Sequence, residues 1–179
     1  MSSTLSSILQ GYRPVGENRV REIVGRGLAD FTVGEVIEHR PARTVSDMDR
    51  AMVLALTGNP APVHSDTEYC ARTGGEELLV CGVTTLGIVI GATVRSTSGL
   101  TSANLGLDEV QFTSPVHVGD TLRAETEVLQ ARRSASRPDQ GVVTCRTTAF
   151  NQRGEKVITF TRTFLVPADA TAVRDAADY

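Results

Sequence analysis

The run Leu56-Thr57-Gly58-Asn59-Pro60-Ala61-Pro62-Val63-His64-Ser65-Asp66 places a histidine on a loop bent by one glycine and two prolines, with an acid two residues further on. Imidazole is the side chain that takes and returns a proton near neutrality, so His64 is the candidate general acid–base of this chain. Asn59 stands five residues earlier, where an acid might be looked for. An asparagine carries no proton that titrates near neutral pH. It can orient His64 or an attacking water through hydrogen bonds, or simply cap the turn. Asp66 is the nearest acid and could share the proton work; the alternative is an N-cap for a short helix over Thr67–Arg72.

Other reactive side chains carry less. Cys81 directly precedes a long apolar run, and a thiol at a helix N-terminus has a lowered pKa and can act as a nucleophile. No second histidine lies near it in sequence, which favours a small buried thiol filling space. His39 ends a strand and His117 precedes a turn, so both read as structural. Arg132, Arg133 and Arg137 form the one local basic cluster, on a long connection between strands. No set of histidines, cysteines and acids has the spacing of metal ligands.

These groups must be held by a framework, and the pattern is strand-rich with one unusual helix. A short strand is expected within Phe31–Arg40. Ser46 followed by Asp49 marks a helix start, and Met48, Ala51, Met52 and Ala55 recur at helical spacing until Gly58 and the prolines stop it. Gly82–Arg95 is apolar on almost every side, which predicts a helix buried on nearly all faces, thinned on one by Gly87 and Gly91. Leu105–Phe112, Thr121–Leu129, Gly141–Phe150 and Lys156–Val166 alternate with period two and read as strands. His117–Asp120 and Asn151–Gly154 read as turns between them. One long helix followed by antiparallel strands implies an α+β fold, a curved sheet wrapped around the helix. Residues 1–27 are expected to drape over the surface, 28–167 to form the domain, and 168–179, rich in Ala and Asp, to fray as a flexible tail.

Bulk properties exclude several classes. The 179 residues can bury a core without staples, and the net charge of −3, from 18 basic and 21 acidic residues, gives no footprint for nucleic acid or an anionic membrane. Cys70, Cys81 and Cys145 are an odd, unpatterned set, read as free thiols of a reducing compartment. The first residues lack a basic n-region and a long apolar stretch, so no signal peptide is expected, and no run is long enough to span a bilayer. A cytoplasmic location follows as the expectation.

The segments A-D-F-T-V-G-E (Ala29–Glu35), A-L-T-G-N-P-A-P-V-H-S-D (Ala55–Asp66) and C-G-V-T-T-L (Cys81–Leu86) resemble the MaoC-like dehydratases, the hydratase-2 type of hot-dog fold. The segments S-P-V-H-V-G-D-T-L-R-A-E-T-E-V (Ser114–Val128), S-R-P-D-Q-G-V-V-T (Ser136–Thr144) and N-Q-R-G-E (Asn151–Glu155) resemble the branch of mesaconyl-CoA hydratases, also called β-methylmalyl-CoA dehydratases. The resemblance covers about residues 28–167. It implies a helix cradled by an antiparallel sheet, homodimers or higher homo-oligomers with sites near subunit boundaries, and an acyl-CoA thioester substrate, with no cofactor beyond the CoA that the substrate carries.

That family's hydratase motif reads T-G-D-x-N-P-φ-H, with φ apolar. Thr57, Gly58, Pro62, Val63 and His64 match it, whereas Asn59 replaces the aspartate and Ala61 the asparagine. The resemblance places the backbone N–H that polarises the thioester carbonyl near Gly82, with Val83 as a neighbouring donor, and allows Arg132, Arg133 and Arg137 to grip CoA phosphates. The implied activity is reversible addition of water to a short or branched enoyl-CoA such as mesaconyl-CoA. Three alternatives stay open: a degenerate subunit that binds acyl thioesters, a thioesterase, and a dehydratase acting on carrier-protein-bound substrates.

Overall fold

The computed structural model describes residues 11–75 and 77–179. The described part of the surface segment holds a hairpin, β1 (Tyr12–Gly16) and β2 (Arg19–Glu22), largely exposed and turned at Asn18, whose φ is 55°. The first strand of the main sheet, β3 (Val36–Glu38), lies within the expected Phe31–Arg40. Leu28–Asp30 forms a 3-10 turn and Gly34, at φ 85°, reverses the chain, so Phe31 is delivered to the core before the strand starts. After β4 (Arg43–Thr44) comes α1 (Asp47–Thr57), started by a capping box in which Ser46 Oγ accepts from Asp49 N and the Asp49 carboxylate accepts from Ser46 N. Gly58 ends it at φ 62°, a left-handed conformation that favours glycine. The short α2 (Thr67–Arg72) and the long α3 (Gly82–Val94) follow.

Four long strands complete the sheet: β5 (Ala103–Phe112), β6 (Thr121–Arg133), β7 (Gln140–Phe150) and β8 (Lys156–Pro167). Their order is β3-β6-β7-β8-β5, antiparallel throughout, with β4 also paired to β6. The alternation seen in the sequence is the burial pattern: Leu122, Ala124, Thr126 and Val128 of β6 and Val143, Cys145, Thr147 and Ala149 of β7 point inward. Ile88 and Val89 of α3 pack on Leu122, Ala124, Ala149, Ile158 and Phe160, so the sheet does wrap around the helix. This is a hot-dog fold, α+β as expected.

Two expectations change. Burial of α3 is confined to one side, where Thr84, Thr85, Ile88, Val89 and Thr93 face the sheet. Val83, Gly87, Gly91 and Val94 lie exposed along the other side, because a single sheet can cover only one face of a helix. The C-terminal segment, expected to fray, forms α4 (Ala170–Ala176). Asp169 caps it by accepting from Thr171 N and Ala172 N, Ala170 packs against Gly27, and Arg174 Nη2 donates to Gly25 O at 2.7 Å. An Ala/Asp-rich composition permits a tail; here a capped helix with a buried arginine docks it instead.

The C-terminal end of α3 is polar inside. His39 is buried between Ser96 Oγ (2.8 Å) and Thr126 Oγ1 (2.7 Å). Arg162, also buried, donates through Nη2 to Thr93 Oγ1 and Thr97 Oγ1 and lies over the Phe164 ring. No carboxylate pairs with Arg162 among the described residues. The partial negative charge at the end of α3 is its available counter-charge.

Candidate active site

The loop between α1 and α2 is fixed from both ends. Gly58 turns it out of α1, and a 3-10 turn over Pro62–His64 is closed by His64 N donating to Ala61 O (3.1 Å), Ser65 N to Pro62 O (3.0 Å) and Asp66 N to Pro62 O (2.8 Å). Across the loop, Leu79 N donates to Val63 O (3.0 Å), which seats the loop against the stretch leading into α3.

That seating orients His64. Its Nδ1 lies 2.9 Å from Leu79 O, and a carbonyl oxygen only accepts. The Nδ1 position therefore carries the hydrogen, and in the neutral ring Nε2 keeps its lone pair. The arrangement presents a base, held in one tautomer by the backbone. Behind it, Arg50 Nη1 donates to His64 O while Arg50 Nε and Nη2 both hold Asp47 Oδ1 (2.8 and 2.6 Å). Arg50 is a site-positioning residue that the sequence did not announce. Its spacing from Asp47 fits an ordinary helix-surface pair, and only the folded chain brings the loop carbonyl to it.

Asn59 uses both ends of its amide. Oδ1 accepts from Ala61 N at 3.0 Å, closing an Asx turn, and Nδ2 donates to Cys81 Sγ at 3.7 Å. The turn-capping role and a tie to the start of α3 are thus combined. His64 and Asn59 are pinned to Leu79 and Cys81, within three residues of Gly82. Cys81 is the N-cap of α3 but offers no side-chain cap bond, and its thiol is buried. The amides of Gly82 and Val83 have no hydrogen-bond acceptor among the described residues, as the first positions of a helix dictate. With the helix dipole behind them they are suited to a developing negative charge. The Phe112 ring lies close over Gly82: a Cβ there would meet its tip at 2.9 Å, so a larger residue would have to displace the ring. The Thr84 hydroxyl, one turn in, is buried without a partner.

Other expected site residues lie elsewhere. Asp66 accepts from Tyr69 N (3.0 Å) as the N-cap of α2, so its carboxylate is spent on that helix. Arg132 and Arg133 close β6, at the far end of the sheet. Arg132 is in register with Val142 and so with Leu165, whereas Phe112, against Gly82, is in register with Ile158. The separation is about 23 Å along β8. Arg133 Nη1 donates to Pro138 O, which stiffens the β6–β7 connection. Among the described residues no group of three or more His, Cys, Asp or Glu side chains is placed to hold a metal ion.

The family model for mesaconyl-CoA hydratase matches residues 15–178, from the surface hairpin through the C-terminal helix. This chain belongs to the mesaconyl-CoA hydratase family. The mesaconyl-CoA hydratase of Cereibacter sphaeroides is 36% identical over 148 residues, covering 83% of this chain and 43% of that protein. Among solved structures, a MaoC domain protein dehydratase from Chloroflexus aurantiacus superposes with a TM-score of 0.75 at 30% identity, over 80% of this chain and 40% of that one. A Mycobacterium tuberculosis protein described as a double hot-dog fold superposes at 0.74 with 27% identity, over 82% of this chain and 45% of its own. The chain thus spans about half the length of the curated relatives it matches. Within the family, this chain is one hot-dog unit bearing the bent loop, the histidine and the open helix N-terminus.

Proposed function

We propose that this chain adds water to, or removes it from, the α,β double bond of a short or branched enoyl-CoA, with mesaconyl-CoA as the leading substrate. The observation that carries the reading is the His64–Leu79 hydrogen bond, which leaves Nε2 of the histidine as a free base on a loop tied to the stretch that leads into α3 and its unpaired amides. Hydration requires that water lose a proton as it attacks Cβ, that the enolate oxygen be held, and that Cα then receive a proton. His64 Nε2 takes the first proton, Gly82 and Val83 N–H hold the oxygen, and the imidazolium returns a proton to Cα. Asn59 positions the loop and offers no proton of its own. CoA serves only as the handle of the substrate, and no further cofactor is needed for these steps. Three free cysteines fit work in a reducing, cytoplasmic compartment. No helix among the described residues is long and apolar enough to cross a membrane.

The purified protein incubated with mesaconyl-CoA or crotonyl-CoA is expected to yield a product heavier by one water, read by mass spectrometry. Absence of hydrated product from both would sink the hydratase reading. One specific observation favours a second reading. Asn59 spends its amide on the loop and Ala61 replaces the motif asparagine, as in a subunit that holds acyl thioesters for an active partner. Saturable binding of crotonyl-CoA without turnover would support it. Release of free CoA, seen with a thiol reagent, would instead indicate a thioesterase.

A second hot-dog unit is expected to cover the open side of the molecule. Val83 and Val94 of α3 and Leu105, Leu107, Val110 and Phe112 of β5 are exposed, and β5 is an edge strand with no neighbour on its outer side among the described residues. Unpaired edges and apolar stripes of this kind need a partner, and the double hot-dog likeness shows a chain long enough to supply one internally. For this chain the proposed partner is a second copy. Light scattering should give twice the 19.1 kDa chain mass, and Leu107→Arg should halve it. A wild-type monomer at micromolar concentration would overturn the homodimer.

A further inference from the structure

A cavity lies away from His64. A cleft of about 650 Å³ opens at the other end of α3, lined by residues that include Ile23, Ile37, Ala92, Arg26 and Arg174. From Gly82 to Ala92 the helix rises about 15 Å, so this space is separate from the candidate active site. Its volume is in the range that small-molecule sites occupy.

Charges on the wall do not balance locally. Arg26 pairs with Glu35 (2.9 Å), Arg40 with Glu38 (3.0 Å), and Arg95 with Glu22. The remaining acid on the wall, Asp30, accepts from Gly27 N at 2.8 Å. Each of these groups has a partner. Arg174 does not: it is 8% exposed, forms no ion pair among the described residues, and its one hydrogen bond goes to the Gly25 carbonyl. Its Nε is buried with no acceptor among the described residues. A desolvated guanidinium short of acceptors costs several kcal/mol unless an anion completes it. Arg174 is also distant in kind from Arg162, which has two threonine hydroxyls and the end of α3 beside it. No such helix end serves Arg174 except its own short α4.

We propose that this cleft binds a small organic carboxylate, with the carboxylate on Arg174 and the apolar body against Ile23, Ile37 and Ala92. A carboxylate matches the planar fork of a guanidinium, and the apolar wall selects acids that carry a short hydrocarbon portion. The negative end of α3 near Ala92 and Ser96 repels an anion, so the charged group lies toward α4 and the hydrocarbon toward α3. This site stands independently of the hydratase reading, since none of its residues belongs to the His64 loop.

The test is calorimetric titration of the 179-residue chain with isobutyrate, with inorganic phosphate as the second arm. Isobutyrate should bind saturably at millimolar concentration and raise the melting temperature. Arg174→Gln should weaken it about 10- to 100-fold, the loss expected for one charged hydrogen-bond partner. Because Arg174→Gln also touches the docking of α4, Ala92→Leu provides the second variant. It fills the apolar half of the cleft, keeps a good helix former, and should abolish isobutyrate binding while the fold melts cooperatively. No saturable binding by wild type, or equal binding by both variants, overturns the proposal. Tighter binding of phosphate than of isobutyrate overturns the carboxylate class.

Discussion

His64→Gln is expected to lower kcat for enoyl-CoA hydration by about 10²- to 10⁴-fold with little change in KM, the usual contribution of a positioned general base. The substitution is chosen for what it keeps. A glutamine amide can still donate to Leu79 O, so the loop retains the bond that His64 Nδ1 makes at 2.9 Å. What disappears is the Nε2 lone pair. His64→Ala removes both, and the extra loss relative to His64→Gln measures the orienting bond, worth about 0.5–1.5 kcal/mol. Steady-state kinetics on crotonyl-CoA, with a denaturation curve for each variant, separates chemistry from folding. If His64→Gln keeps wild-type kcat, the histidine is a structural part of the loop and the degenerate-subunit reading takes its place.

The sequence carried the frame of this site better than its connections. Period-two alternation located β5 to β8 within a few residues, because inward and outward positions of a half-buried sheet are physically distinct. Ser46 and Asp49 announced the start of α1 because a capping box is a local interaction between residues three apart. The helix α3 was also legible, but its exposure was not. An apolar run says that a face will be covered, and it cannot say whether the cover belongs to the same chain. The missing parts of the site are long-range. The partner of His64 is a backbone carbonyl, which leaves no mark on residue type, and Arg50 reaches that loop only after α1 packs. Arg174 meets Gly25 across 149 positions of chain, so nothing local distinguished α4 from a tail. Asn59 lay between these cases. Its residue type suggested a turn cap, and the fold added the contact to Cys81. The placement of Arg132 and Arg133 was hidden for a related reason: a basic cluster in sequence carries no information about which end of the sheet it reaches.

Stability should fall by about 3 kcal/mol between pH 7 and pH 4 because of His39 alone. Burial, and then the neighbouring Arg162 charge, lower its pKa from 6.5 to about 4. The unfolded chain therefore binds a proton on this histidine through a range in which the folded chain does not. The contribution is fully present above the unfolded pKa, near 6.5, and is lost progressively as pH drops toward the folded value near 4. Depressed carboxylates act lower down. Burial opposes ionisation of Asp120, but hydrogen bonds from His117 N, Gln152 and Arg153 outweigh it and hold its pKa below the usual value. Its contribution is present above the unfolded carboxylate pKa of about 4 and is lost as pH falls through the lower, folded value. The interval from about pH 6.5 to 5 thus isolates the histidine. Urea unfolding at closely spaced pH values should show the midpoint declining through that interval in wild type. His39→Gln, which can still hydrogen-bond to Ser96 and Thr126 but does not titrate, should flatten the decline whatever its stability at pH 7. An undiminished slope in His39→Gln would assign the acid sensitivity elsewhere. A flat slope would show that the polar end of α3 excludes a second positive charge beside Arg162, which is the condition under which His39 can remain buried and neutral.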